Sequence, residues 1–206
     1  MAAAGPALAQ LLQQALPAAY GLRQRSEADL PFLCQLYAQT REEELAPVQW
    51  PAQQKEAFLA DQFDKQHQHY LQHYPRAQWW MLTCQGAPMG RLYLEQTARE
   101  LRIMDVTLMP AHRNQGLGTA LMRSVVRHAD GQRLTASLHV EPFNPALRLY
   151  QRLGFVHAET RGVYLFMQRP PATTGSESVE NELVTGMAGV APDGHHEQVQ
   201  AAVSRM

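Results

Sequence analysis

The chain is poor in the residues that mark specialised classes. Two cysteines, Cys34 and Cys84, stand among 206 residues, too few for a disulfide framework or a multi-cysteine zinc site. They read as small buried hydrophobes in a reducing, cytoplasmic setting. An excess of one charge is also missing. The 18 Lys and Arg against 19 Asp and Glu give a formal net charge of −1, so no global field draws in nucleic acid or an anionic membrane. No segment approaches the roughly 20 apolar residues of a membrane span. The first 19 residues contain no Lys or Arg, and Gln10, Gln13 and Gln14 interrupt their apolar run. A secretory signal needs a basic start and an unbroken apolar stretch, so that reading is rejected. What is present, 45% hydrophobic and 18% charged residues, is the composition of a folded domain, at a length that suits one core.

Along the chain, composition changes at Pro170 and Pro171. Beyond them come Thr173, Thr174, Gly175, Ser176 and Ser178, then five acids against Arg205 alone. Residues 170–206 read as a disordered acidic tail, with a short docked helix near 179–187 as the alternative. Residues 1–19 read as an N-terminal extension, and residues 20–169 as the domain. Within it, period-two and period-3.6 apolar patterns alternate. Strands are expected at 20–25, 79–84, 89–94, 101–109, 134–140, 155–157 and 163–167. Helices are expected at 27–45, 53–74, 115–129 and 144–153. Gln85, Gly86, Ala87 and Pro88 read as a hairpin turn. The fold class this implies is α/β: a central mixed sheet with helices on both faces.

The most informative segment is Arg113-Asn114-Gln115-Gly116-Leu117-Gly118, set between a strand ending at Pro110 and an amphipathic helix. A helix start offers unpaired N–H groups and the positive end of its dipole to a phosphate. Gly116 and Gly118 let the backbone approach the anion, and Arg113 adds a permanent charge. Gly118 is followed by Thr119 and not by Lys, which excludes a Walker loop. The third glycine of a dinucleotide fingerprint is missing as well. An ordinary strand-to-helix turn with two glycines remains the bland alternative.

This hexapeptide resembles the acyl-CoA signature of the GCN5-related N-acetyltransferase (GNAT) superfamily. Val106-Thr107-Leu108-Met109-Pro110 is similar to that family's strand leading into the loop. Asn144-Pro145-Ala146-Leu147-Arg148-Leu149-Tyr150 is similar to its late helix, and Leu153-Gly154-Phe155 to the turn that follows. The resemblance covers about residues 20–168 and implies a GNAT-like splayed sheet using acetyl-CoA as acyl donor. It also implies site residues. The backbone of Val106 and Leu108 would pair with the pantetheine arm. Arg113, Asn114 and the N–H groups of Gln115, Gly116, Leu117, Gly118 and Thr119 would hold the pyrophosphate, and Asn144 would contact the arm. Tyr150 would protonate the departing thiolate, unless it is only a core tyrosine.

The acceptor amine must lose a proton, so a base is expected. Glu141 and Asp105 are the candidates, with His139 and Glu44 behind them. Asp105 could equally be a buried structural acid. Glu42, Glu43 and Glu44 with Trp50 could attract a cationic amine, or be a solvated helix face. His69 and His73 lie four apart, but no carboxylate–histidine constellation supports a metal. Trp79 and Trp80 are expected to pack one ring on each sheet face. The implied function is N-acetyl transfer to a primary amine of a small molecule or peptide, with a homodimer possible. The alternative is a catalytically silent acyl-CoA-binding sensor.

Overall fold

The structure is a computed structural model that describes residues 5–172. Its elements are α1 (Gly5–Ala15), β1 (Tyr20–Gln24), α2 (Leu30–Leu45), α3 (Ala52–His73), β2 (Ala77–Cys84), β3 (Ala87–Gln96) and β4 (Glu100–Leu108). There follow α4 (Leu117–Gly131), β5 (Thr135–Val140), α5 (Leu147–Arg152), β6 (Val156–Arg161) and β7 (Tyr164–Arg169). The strands form one mixed sheet in the order β1-β2-β3-β4-β5-β7-β6. The β4–β5 pair is parallel and its neighbours are antiparallel.

Each face is covered by its own core. On one, Leu92, Ile103, Val106 and Leu138 of the sheet meet Leu121 and Val125 of α4. On the other, Met81, Tyr93 and Met104 meet Leu33 and Leu36 of α2 and Phe63 and Tyr70 of α3. Trp80 packs with the first core and Trp79 with the second, one ring on each face as the alternation requires. Cys34 and Cys84 are free and only half-buried, so the expectation that both are buried does not hold.

Residues 5–15, which the sequence sets apart before the domain, form α1. Leu8 and Leu12 on its inner stripe are completely buried in the α4-side core. Gln13 is no mere interruption of the apolar run. Its side chain donates to Tyr20 O (3.2 Å) and accepts from Leu22 N–H (2.9 Å), completing backbone groups of edge strand β1. The acidic-tail reading falls almost entirely on residues 173–206, which lie outside the described residues. Among the described residues, no helix is long and apolar enough to cross a membrane.

The feature that positions the site is a bulge in β4. Tyr93 pairs with Asp105 and Leu94 with Ile103, so Met104 is the extra residue. A bulge bends its strand and sharpens the local twist. The parallel ladder between β4 and β5 starts at Glu100↔Thr135 and stops at Ile103↔Leu138, just before the bulge. Beyond it each strand follows its other neighbour: Leu108 pairs with Gly90, and Val140 with Leu165. The sheet therefore opens between Asp105–Leu108 on one side and His139–Val140 on the other.

Candidate active site

The loop after β4 is shaped by two residues with positive φ, Asn114 (59°) and Gly116 (79°). Left-handed backbone is strained for residues with a Cβ, which is why glycine suits position 116. These turns delay α4 to Leu117, two residues later than its periodicity predicts. The amide of Ala120 reaches Gly116 O at 2.9 Å. Helix geometry then leaves the amides of Leu117, Gly118 and Thr119 for a ligand. Gly118 and Thr119 border a cleft of about 180 Å³, whose other walls include Leu108, Asn114, Gly116, Ala146 and Arg152.

Side chains brace the loop while the backbone stays open. Tyr20 O–H donates to Gln115 Oε1 (2.9 Å), and Gln115 Nε2 donates to Ala111 O (2.8 Å). Arg113 Nε donates to Leu108 O at 2.8 Å, so this guanidinium ties the loop to the end of β4 as well as adding charge. Arg152, which sequence reasoning missed, supplies a cation at the cleft. Its signal was its place two residues past the end of the Asn144–Tyr150 motif. Helix N–H groups and the Arg152 guanidinium on one cleft, with Arg113 in the loop that forms its edge, fit a diphosphate.

Tyr150 projects from α5 into the same core. Asn144 Oδ1 accepts the Ala146 N–H (2.9 Å), closing a turn that starts α5 at Leu147 and not at 144. Gly154 takes φ 89°, a left-handed turn that ends α5 and brings Phe155 N–H back to Tyr150 O (3.0 Å). The Phe155 ring lies 6.0 Å from that of Tyr150. The Leu153-Gly154-Phe155 turn thus locks the tyrosine in place. Its phenol is fully buried, and among the described residues its hydroxyl has no hydrogen-bond partner. Burial, and then the charge of Asp105, push its pKa well above the ordinary value. It stays protonated at neutral pH. A buried hydroxyl without a partner is costly, and a ligand in the sheet opening would supply one.

The family model described as the acetyltransferase (GNAT) family matches residues 36–155. The chain belongs to the GNAT acetyltransferase family. Solved GNAT structures share its fold. A PaiA N-acetyltransferase from Thermoplasma acidophilum, in complex with coenzyme A, is 16% identical with a TM-score of 0.56, covering 73% of this chain and 98% of its own. The ribosomal-protein-S18-alanine N-acetyltransferase of Escherichia coli is 20% identical at a TM-score of 0.51, covering 79% and 99%. A putative acetyltransferase from Salmonella typhimurium, solved with acetyl-CoA, is 16% identical at 0.51, covering 78% and 99%. No curated protein matches the chain.

On this GNAT frame the candidate bases separate. Asp105 is completely buried, and Arg91, itself 2% exposed, pairs with it at 2.6 Å. Thr107 O–H donates to the other carboxylate oxygen at 2.6 Å, and Tyr70 O–H approaches at 3.4 Å. Gln66 Oε1 accepts from the same Arg91 nitrogen at 3.0 Å. Arg91 and Asp105 thereby exchange their lost hydration for each other and for hydrogen bonds. A carboxylate so occupied is poorly placed to take a proton from an amine. Of the two readings left open for Asp105, base or buried structural acid, this geometry favours the second.

Glu141 lies one residue past β5, at the open end of the sheet and about one-third exposed. Arg41 of α2 reaches it at 3.5 Å and also binds both oxygens of Glu44 at 3.0 Å. The Arg41 guanidinium lies 5.7 Å from the Tyr37 ring. Burial alone would lower the Arg41 pKa, but Glu44 and then Tyr37 and Glu141 raise it on balance. Tyr164, opening β7, adjoins this pair, and burial raises its pKa. Glu44 therefore belongs with Glu141. His139 lies elsewhere: its ring is 4.8 Å from Phe166, and the charges it feels are those of Arg102, Arg161, Glu100 and Glu159. Those residues belong to the paired part of β4 and to β6.

Proposed function

We propose that the protein transfers an acetyl group from acetyl-CoA to a primary amine by direct attack. One observation carries the reading. The open amides at the start of α4 face, across one cleft, Ala146, Leu149 and Arg152 of the segment that also carries the unpartnered Tyr150 hydroxyl. Bound acetyl-CoA would supply an activated acyl group and a thiol leaving group. The remaining work falls to this chain. The N–H groups of Gln115, Gly116, Leu117, Gly118 and Thr119, with Asn114, Arg113 and Arg152, hold the diphosphate. The backbone at Val106 and Leu108, beyond the point where β5 departs, takes the arm and presents a fixed dipole to the acyl oxygen. Asn144, buried at the start of the α5 turn, flanks the arm. Tyr150 gives its proton to the departing sulfur. Glu141, held by Arg41, accepts the proton that the amine loses. A cytoplasmic setting goes with this reading.

Calorimetry with acetyl-CoA, followed by thiol release over a panel of amines, tests the proposal. Binding with amine-dependent release is expected. Failure to bind acetyl-CoA would sink it. Binding with no release for any amine would instead mark a silent acyl-CoA-binding module.

A further inference from the structure

We infer that the acceptor is a polypeptide whose amine is flanked by apolar side chains, gripped by an apolar rim around Arg41 and Glu141. The inference rests on the N-acetyltransferase reading above and deepens it. Four large apolar side chains are exposed on segments next to those that carry Arg41 and Glu141: Phe143 (96%), Val163 (70%), Trp50 (38%) and Phe58 (38%). Register places them. Val140 pairs with Leu165, so the turn that carries Val163 lies beside the segment 141–143 that leaves β5. Across the opening, the Arg41–Glu141 ion pair brings in the last turns of α2. Helices α2 and α3 meet where Tyr37 and Phe63 touch, 6.1 Å between rings. From that contact, Arg41 lies about 6 Å along α2 and Phe58 about 7.5 Å back along α3 at the usual rise per residue. Phe58 is therefore level with Arg41, and Trp50 stacks edge-on against it at 5.4 Å. Lys55 closes this corner by donating to Leu45 O at 2.8 Å.

The centre of the rim is charged. At the immediate centre two carboxylates, Glu44 and Glu141, face one guanidinium, Arg41, while Lys55 stands to the side against Leu45 O; the second carboxylate at the centre suits an ammonium group. A small polar amine would use this centre and make no use of the apolar groups on three separate loops and on α3. A chain with apolar side chains next to its amine would cover both. Apolar clusters of this kind on a protein surface mark contact sites, and the sign of the central charge selects the amine-bearing partner.

The test uses the full chain and acetyl-CoA. Its acceptors are glycinamide and two sets of heptapeptides with one free amine, flanked by Leu and Phe or by Ser and Gly. The apolar-flanked set should be preferred by about tenfold or more in kcat/KM, since a few buried aromatic anchors dominate such contacts. Phe143→Ser and Val163→Ser should each cut that preference several-fold through KM. Val156→Ser serves as the control. Val156 is also exposed but pairs with Gln168, at the far end of β6 and β7. Equal turnover of all acceptors, or a preference untouched by both rim variants, overturns the inference and leaves the enzyme reading standing. Sedimentation showing that the rim variants split a dimer would assign the rim to a second copy and also overturn it. Absence of acetyl-CoA binding removes the enzyme reading and this inference together.

Discussion

Asp105 and Tyr150 are both fully buried, and the phenol lies within reach of the carboxylate's charge. Asp105 ends in a closed set of partners, Arg91, Thr107 and Tyr70, on the face packed by α2 and α3. Tyr150 sits on the α4 side with no partner for its hydroxyl among the described residues. Both belong to the region beyond the bulge at Met104, where β5 has left β4; the two faces of the sheet, and not the two sides of the bulge, divide them. A closed polar network fixes the sheet, and an open polar group awaits a ligand. Burial alone does not distinguish structural from chemical residues, but the state of their hydrogen bonds does.

The sharpest way to break this contrast is to open the closed side. Asp105→Asn keeps the shape but leaves the Arg91 charge buried without its counterion. The variant should lose about 3–5 kcal/mol of unfolding free energy in urea. A loss under 1 kcal/mol would show that the network is not the anchor described. Tyr150→Phe is the complementary change on the open side. It removes a buried hydroxyl that has no hydrogen-bond partner among the described residues, so stability should hold or rise slightly. Turnover should fall on the order of 100-fold or more while acetyl-CoA affinity stays put. Unchanged turnover would return Tyr150 to the core. Next in size, Gly116→Ala meets no steric neighbour, so its cost is only that of a positive φ, about 1–2 kcal/mol. Acetyl-CoA should bind roughly tenfold more weakly by calorimetry if the turn relaxes.

The sequence made the open side easier to read than the closed one. The phosphate loop, Tyr150 and its Gly154–Phe155 lock are local patterns, and local patterns survive in a linear reading. The element order was legible for the same reason. The Arg91–Asp105 pair joins residues that alternate along separate strands, and Arg41–Glu141 joins positions a hundred residues apart. Neither leaves a periodic trace. The bulge left a faint one, since Ile103 and Met104 are apolar in succession where strict alternation allows only one. Helix α1 escaped because its Leu8 and Leu12 stripe was weighed as a signal peptide and not as a core face. Helix starts at 117 and 147 were missed where glycine and asparagine turns, which have no periodicity, set the boundary.

His139 offers the finest probe of the divide, because it sits on β5 one residue beyond the last rung shared with β4 and faces the Phe166 side. Its ring is buried, its Nε2 has no hydrogen-bond partner among the described residues, and burial, then Arg102 and Arg161, lower its pKa to about 4. Glu100 and Glu159 oppose that shift only in part. The folded state thus holds the imidazole neutral, while the unfolded chain protonates it near 6.5. Between these values the unfolded state binds more protons, so stability is complete above pH 6.5 and falls as pH drops toward 4. After allowance for solvent screening, the loss from pH 7 to 4.5 should be on the order of 1–2 kcal/mol in urea titrations. Asp29 and Asp130, held low first by hydrogen bonds from Arg23 and Arg169, surrender their contributions only at lower pH. His139→Phe keeps a ring against Phe166 and removes the titration. Its stability should be flatter across this window than the parent's. Equal slopes would mean that solvent reaches the imidazole and that burial does not hold it neutral.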